Sequence, residues 1–280
     1  MNEDLKKGNA GTDMKYSMEA IREQLYRAMK QETDLNIDKL QKKPVKGKYD
    51  FKHLCKVHEA IYNGVYDMGG KLRTKDAPEG EVAMGAIPFK YSDCENIEGD
   101  AKKILDYMNG VKGSEMPWAE SALRCYGESR PHTVEWATLS FDERVNVFSD
   151  CMASLWKVHP FQMGNTRTMI MFFSDFAKAH GFGIDNSLLL DNEKYVRNCL
   201  SVASVDLTFN GCISKNAKLL RDIIKDGMER WKEQDKNREQ GGKRGYGMKY
   251  YKEETQKLAY LGSNDSDKKY DDKTEMQFEF

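Results

Sequence analysis

Residues 159–167 read His-Pro-Phe-Gln-Met-Gly-Asn-Thr-Arg and lie between two apolar segments with helical spacing. The first segment ends at Val158 and the second begins near Thr166. The residues between them form a loop, so this loop meets the N-terminus of the second helix. Similar helical periodicity recurs along most of the chain, and the sum of these segments predicts an almost entirely α-helical protein.

The loop has the features of an anion site. The first N–H groups of a helix have no partner within the helix, and the macrodipole is positive at that end. Gly164 lets the backbone approach a phosphate, Asn165 can donate side-chain hydrogen bonds, and Arg167 adds a permanent charge. His159 has an ordinary pKa that allows proton transfer near neutrality. These residues alone leave two interpretations open, a phosphate site with a catalytic histidine or a capped, solvated loop.

This stretch resembles the signature of the Fic family, His-x-Phe-x-(Asp/Glu)-Gly-Asn-Gly-Arg-x-x-Arg, aligned without gaps from His159 to Ile170. Upstream, the segment from Tyr66 to Arg73 is similar to the Tyr-x-x-x-Gly-x-(Leu/Ile)-Arg pattern of the family. The resemblance covers approximately Asp50 to Ala203. It implies an all-α fold, a Fic-type helical bundle with a short β-hairpin flap.

The resemblance also implies a function. Family members transfer part of a nucleotide, most often AMP from ATP, to a Ser, Thr or Tyr hydroxyl of a protein. It makes His159 the catalytic base and gives Phe161 a packing role. It assigns the nucleotide phosphates to Gly164, Asn165, Thr166 and Arg167. The protein target is expected to add as a strand to a flap near Val82–Lys90, where main-chain hydrogen bonds hold an extended segment.

Three positions depart from the family pattern. Met163 replaces the acidic residue that holds Mg2+, and a thioether is a poor ligand for Mg2+ or Mn2+. Ile170 replaces the second arginine, so a triphosphate loses one contact. Thr166 replaces the third glycine, although its hydroxyl can cap the helix or contact phosphate. The favoured hypothesis is therefore an atypical protein adenylyltransferase; the alternative is a catalytically weakened Fic fold that binds a nucleotide or peptide.

The sequence also bears on regulation, partners and cellular compartment. No Ser or Thr is followed four residues later by Glu, so the inhibitory motif of self-inhibited family members is missing. A separate inhibitor protein remains a possible partner. The charge is nearly balanced, with 44 Lys plus Arg against 45 Asp plus Glu, which argues against nucleic acid or an anionic membrane as a partner. With no apolar stretch approaching the ~20 residues of a membrane helix and no signal-like N-terminus, a cytoplasmic protein is expected.

The chain divides into three predicted parts. Residues 1–48 form an extension with an amphipathic helix at Met14–Lys30, residues 49–232 form the Fic-like core, and residues 233–280 form a charged tail. Within the core, a helix from Phe51 is expected to end at Gly69 and Gly70, and Ser140 with Glu143 predicts a capping box. Further helices are predicted at 166–180, 191–203 and 215–233. The six scattered cysteines are expected to be reduced, and His53 and His58 are expected to be core or surface histidines rather than joint metal ligands.

Overall fold

The computed structural model describes residues 9–65, 67, 69–76, 81–83, 87–114, 130–209, 212–214 and 216–239. These residues form eight helices and two short hairpins. The helices are α1 (Asn9–Lys42), α2 (Phe51–Tyr62), α3 (Ile97–Met108), α4 (Phe141–Val158), α5 (Asn165–Ala179), α6 (Asn186–Asp191), α7 (Glu193–Ser204) and α8 (Lys218–Glu239). The strands are β1 (Glu81–Ala83), β2 (Ile87–Phe89), β3 (Leu207–Phe209) and β4 (Cys212–Ser214). The predicted all-α fold class is confirmed.

Helix α5 lies at the centre of the fold. All of its residues from 165 to 177 are buried, including the polar or charged residues Asn165, Thr166, Arg167, Thr168, Ser174 and Asp175. Helices α2, α4, α6 and α7 pack around it, and α4 also contacts α3, α7 and α8. The loop that joins α4 to α5 is therefore anchored at both ends in the core.

Both ends of α4 have identifiable caps. The predicted capping box is confirmed, because the Ser140 side chain accepts from the Glu143 N–H and the Glu143 carboxylate accepts from the Ser140 N–H. At the other end, His159 adopts the left-handed conformation with φ 50° and ψ 59°. A left-handed residue turns the chain sharply out of the helix, and it is uncommon for a residue other than glycine.

Helix α1 is longer than predicted and its second half belongs to the core. Ile37 and Leu40 are buried, and the Asn36 amide donates to the carbonyls of Ile61 (3.1 Å) and Asn63 (2.9 Å) at the end of α2. The prediction of a helix limited to Met14–Lys30 was too short, because the polar residues after Lys30 conceal the contact with α2. The domain boundary after residue 48 stays a prediction.

The two hairpins are short antiparallel pairs. In the first, Val82 lies opposite Pro88, within the stretch Val82–Lys90 that the resemblance assigns to a flap. The second pairs Leu207 with Ser214 and was not predicted. Its sequence signal was the Asn-Gly dipeptide at 210–211 between apolar residues, a common hairpin turn.

Several predicted boundaries differ from the structure. Helix α2 ends at Tyr62 rather than at Gly69 and Gly70, because Gly64 already adopts a left-handed conformation with φ 78°. The helix predicted at 191–203 is divided at Asn192, whose amide donates to the Leu188 carbonyl (2.8 Å). Helix α8 extends to Glu239, beyond the predicted start of the tail, and residues 240–280 lie outside the described residues. Over the described ranges, no helix combines the length and apolar character needed to cross a membrane.

Candidate active site

His159 lies at the junction of α4 and the loop, in an aromatic pocket. Its ring stacks on Tyr91 with a centroid distance of 3.9 Å and meets the edge of Trp156 at 5.8 Å. Its Nδ1 is buried and has no hydrogen-bond partner among the described residues. Burial lowers the pKa of His159 to about 3, and the charges of Arg197 and Arg73 act in the same direction. The imidazole is therefore neutral at physiological pH, and in the free protein its lowered pKa makes it a weak proton acceptor.

Arg73 holds the backbone at the His159 end of the loop. Its guanidinium donates to the carbonyls of His159 (2.8 Å) and Val158 (3.4 Å). Its own backbone N–H donates to the Pro160 carbonyl (3.0 Å). These carbonyl oxygens are thus turned into the protein, and their side of the backbone is closed to an anion.

His58 holds the middle of the loop from α2. Its Nδ1 accepts from the Gly70 N–H (2.8 Å), so its Nε2 carries the proton and donates to the Met163 carbonyl (3.1 Å). Its ring stacks on Phe161 at 3.8 Å with an interplanar angle of 10°. Burial lowers the pKa of His58 to about 4, so this tautomer stays neutral. The sequence did not predict the hydrogen bond from His58 to the loop, since nothing local marks a partner 105 residues away.

Asn165 and Phe161 close the loop on itself. The Asn165 Oδ1 accepts from the Phe161 N–H (3.0 Å), and its Nδ2 donates to the Phe161 carbonyl (2.8 Å). Phe161 is fully buried beneath this bridge. The Thr166 hydroxyl accepts from the indole N–H of Trp156 (3.1 Å). The observed partners of Asn165 and Thr166 are therefore within the protein, and their predicted contacts with phosphate stay predictions.

Gly164 provides the N-cap of α5 and has φ 74° with no side-chain cap. The first N–H groups of α5 thus keep the capacity to bind an anion. A Cβ atom on Gly164 would lie 2.0 Å from the Tyr62 hydroxyl oxygen. Glycine is required here twice over, by the left-handed backbone and by the close approach of Tyr62.

Arg167 is engaged by acidic residues. Its Nε donates to Glu193 Oε2 on α7 (2.8 Å), and one terminal nitrogen donates to Asp34 Oδ1 (2.7 Å) and the Thr33 hydroxyl (2.7 Å) on α1. Sequence reasoning assigned this charge to phosphate, whereas the structure pairs it with two carboxylates. A phosphate contact at Arg167 stays a prediction, and it requires exchange of at least one of these partners.

The donor set of the loop does not suit Mg2+. Met163 offers a thioether where the family pattern has a carboxylate, and a hard cation prefers oxygen ligands. The carboxylates of Asp34 and Glu193 already pair with Arg167. Across the described ranges, no group of three or more His, Cys, Asp or Glu residues is arranged to hold a metal ion.

Arg197 is a further basic residue of the site that sequence reasoning missed. It follows Glu193 by one turn of α7, so the two side chains share a face of the helix. Glu193 contacts Arg167, and the charge of Arg197 is felt at His159, where it lowers the pKa. Helix α7 therefore runs alongside the loop from its Arg167 end to its His159 end.

Comparison with known proteins finds similarity to the same family that the signature resembles. Residues 48–177 match the family model described as Fic/DOC family. The protein adenylyltransferase of Bartonella henselae is 25% identical over 176 residues, which cover 62% of this chain and 28% of that protein. The protein adenylyltransferase VbhT of Bartonella schoenbuchensis is 26% identical over 141 residues, which cover 50% of this chain and 23% of that protein.

Among solved structures, the N-terminal Fic domain of Bep8, a VirB-translocated effector of Bartonella sp. 1-1C, has a TM-score of 0.53 at 20% identity. The alignment covers 74% of this chain and 85% of that one. Of the two curated adenylyltransferases, by contrast, the chain spans less than a third of the length. The signature and the helical fold agree with the family match, and residues 48–177 are the part of the chain that matches the Fic/DOC family.

Proposed function

We propose that this chain transfers AMP from ATP to a Ser, Thr or Tyr hydroxyl of a protein. One observation carries the proposal: a neutral histidine and the uncapped N-terminus of α5 lie at the two ends of one loop, with four loop carbonyls bonded into the protein. A base and an anion-binding helix end are the two groups that nucleotidyl transfer requires. The relatives named as protein adenylyltransferases support the choice of AMP.

In the proposed step, His159 accepts the proton of the target hydroxyl while the oxygen attacks the α-phosphorus of ATP. A bond forms between that oxygen and phosphorus, the bond from the α-phosphorus to the bridging oxygen breaks, and pyrophosphate leaves. The protein contributes mainly position and charge stabilisation, as in other transfers at phosphorus. The N–H groups at the start of α5 and the cations Arg167 and Arg197 supply that charge.

The low pKa of His159 in the free protein is consistent with a site that binds an anion. Burial and the charges of Arg197 and Arg73 disfavour the imidazolium in the free protein. Bound polyphosphate brings negative charge to the same place and raises the pKa, which strengthens His159 as a base. The proton-accepting capacity is thereby coupled to nucleotide binding.

The hairpin β1–β2 is the proposed holder of the protein target. It precedes Tyr91, which stacks on His159, so an extended segment added to the hairpin passes near the base. The described cysteines Cys55, Cys94, Cys151 and Cys199 are free thiols, which suits an ATP-using enzyme of the cytoplasm.

The second candidate function is nucleotide or peptide binding without transfer. The pairing of Arg167 with Asp34 and Glu193 favours it, because the charge predicted for phosphate is already neutralised. Met163 in place of an acidic residue points the same way.

Labelled ATP separates the two candidates. ATP carrying the label at the α- or the γ-phosphate is incubated with the protein and a lysate, with Mg2+ or Mn2+, and GTP, CTP and UTP serve as alternative donors. We expect protein labelling from the α-position alone. Labelling that requires Met163→Glu would identify a natural form lacking only its metal ligand, and no labelling in any variant would favour the binding function.

A further inference from the structure

The hairpin β1–β2 is joined to the rest of the protein through what we term the hairpin base, residues 73–76 and 91–94. Arg73 is buried within it. Besides its contacts with the carbonyls of Val158 and His159, its guanidinium donates to the carbonyl of Lys75 (3.0 Å), before β1, and to that of Ser92, after β2. A single side chain thus touches both chains of the hairpin base and the end of α4.

Two further contacts complete this arrangement. Asp76 pairs with Arg73 (3.6 Å) and accepts from the Cys94 N–H (2.7 Å), which links the two chains of the hairpin base. The Ser92 N–H donates to the Lys157 carbonyl (3.4 Å) in the last turn of α4. Tyr91, between β2 and Ser92, then stacks on the His159 ring. The hairpin and the histidine share one set of bonds, with Arg73 at its centre.

We propose that Arg73 is a positioning residue that fixes the distance and orientation of His159 relative to hairpin β1–β2. The consequence for catalysis rests on the proposed function, in which a target held on the hairpin must present its hydroxyl to His159. The structural part, that Arg73 couples the two regions, stands apart from any activity.

The chemistry of arginine suits this task better than that of lysine. The planar guanidinium carries five N–H donors in a fixed fork and keeps its charge when buried. Four carbonyls accept from Arg73, and two of them, at Val158 and His159, lie at the C-terminal end of α4, where the macrodipole favours a cation. Lysine has three donors and a flexible stem, so it cannot hold all four carbonyls.

The test compares Arg73→Gln and Arg73→Lys with matched changes at Arg144. Arg144 also donates to two backbone carbonyls, Trp136 (3.2 Å) and Leu139 (3.1 Å), but at the opposite end of α4, about 20 Å from His159 by helical rise. Amide hydrogen exchange is followed at residue 73 and Ser92, whose acceptors are Pro160 and Lys157, and at Arg221 in α8 as a reference.

In Arg73→Gln we expect exchange at residue 73 and Ser92 to rise together by roughly tenfold or more, with Arg221 unchanged and no such rise in Arg144→Gln. Unchanged exchange at both positions would overturn the proposal, as would an equal rise at Arg221 or in the Arg144 variant, since the effect would then be general destabilisation.

Enzyme activity provides a second measurement, which tests the catalytic part of the proposal independently of hydrogen exchange. In Arg73→Lys, the kcat for protein labelling is expected to fall roughly 10- to 100-fold, while the KM for nucleotide stays within about twofold, because the base is misplaced but the phosphate site is intact. An equal loss in Arg144→Lys, or a change in KM alone, would contradict the catalytic part. If the wild type labels nothing, the proposed function fails and hydrogen exchange still decides the role of Arg73.

Discussion

The two ends of the loop 159–167 differ in what they face. At one end His159 is neutral, its Nδ1 has no hydrogen-bond partner within the part of the chain that the structure describes, and its ring lies among aromatic rings and cations. At the other end Arg167 already contacts two carboxylates and a hydroxyl. One end holds a neutral histidine whose role as the base is our proposal, and the other is occupied by side chains of the protein itself. Two residues of the same signature can therefore differ in whether their side chains already have partners among the described residues.

The difference follows from where the partners come from. His159 is held in place by the core around it, chiefly by Trp156 in α4, Tyr91 after β2 and Arg73 in the segment between α2 and β1. Among the partners of Arg167, the Asp34 side chain is 51% exposed and the Glu193 side chain 34% exposed, whereas Thr33 is buried. Ion pairs with exposed carboxylates contribute little stability and exchange readily. The Arg167 end is thus the easier one to change.

The largest effect is expected from Gly164→Ala, which disturbs the point between the two ends. A Cβ atom would lie 2.0 Å from the Tyr62 hydroxyl oxygen, and the left-handed backbone adds strain. Gly181→Ala is the matched control, with a similar φ of 77° and no atom within 4 Å of the added Cβ. We expect Gly181→Ala to cost about 1–2 kcal/mol of unfolding free energy and Gly164→Ala about 1–3 kcal/mol more. Urea unfolding measures both, and equal losses would refute the contact with Tyr62.

The next effect is a dependence of stability on pH. Burial lowers the pKa of His58 to about 4 and that of His159 to about 3, from 6.5. The unfolded chain binds these protons first as pH falls, so each histidine removes up to ~1.4 kcal/mol of unfolding free energy per pH unit below about 6.5. Asp175 opposes them, because burial raises its pKa to about 6 from 3.8 and the folded state then takes up the proton first.

His53 acts with His58 and His159 because burial lowers its pKa, and Asp150 acts with Asp175 because burial raises its pKa. With three histidines against two aspartates, stability is expected to fall between about pH 6.5 and about pH 4. Urea unfolding at several pH values measures the slope. His58→Gln should flatten it and Asp175→Asn should steepen it, while a slope that neither change affects would exclude these groups as its origin.

The smallest effect is expected at the Arg167 end. Asp34→Ala removes one carboxylate from Arg167, which leaves more of its charge for a phosphate. We expect ATP to bind about 3- to 5-fold more tightly, with a loss of less than ~1 kcal/mol in stability. Asp38→Ala, an exposed position one turn further along α1, is the control and should leave affinity unchanged. Weaker binding in Asp34→Ala, or the same gain in both variants, would contradict this interpretation of the pairing.

The sequence was sufficient for features that depend on neighbouring residues. Helical spacing predicted α4 and α5 to within a few residues, and Ser140 with Glu143 predicted the capping box. Each follows from contacts within a few positions, such as a side chain three residues from the N–H it caps. Helical periodicity and the family signature both predicted the all-α fold class, and the signature made His159 the expected base, which stays a prediction.

The features that sequence reasoning missed depend on residues far apart. Arg167 and Asp34 are separated by 133 positions, and His58 and Met163 by 105. Periodicity shows which face of a helix is apolar, but the partner of a polar group depends on how the helices cross. Asn165 shows a second limit, because its amide could face an anion or the loop itself, and the loop geometry decides between them.

The most direct test of the central claim is to measure ATP binding and AMP transfer separately in the wild type and in His159→Ala. Calorimetry gives the affinity and α-labelled ATP gives the transfer. The two-ended loop predicts that His159→Ala binds ATP within about twofold of the wild type but transfers about 10²- to 10⁴-fold more slowly, because the base is lost and the helix end remains. Transfer at the wild-type rate would contradict His159 as the base, and loss of binding together with transfer would contradict the division of the loop into a reactive end and a binding end.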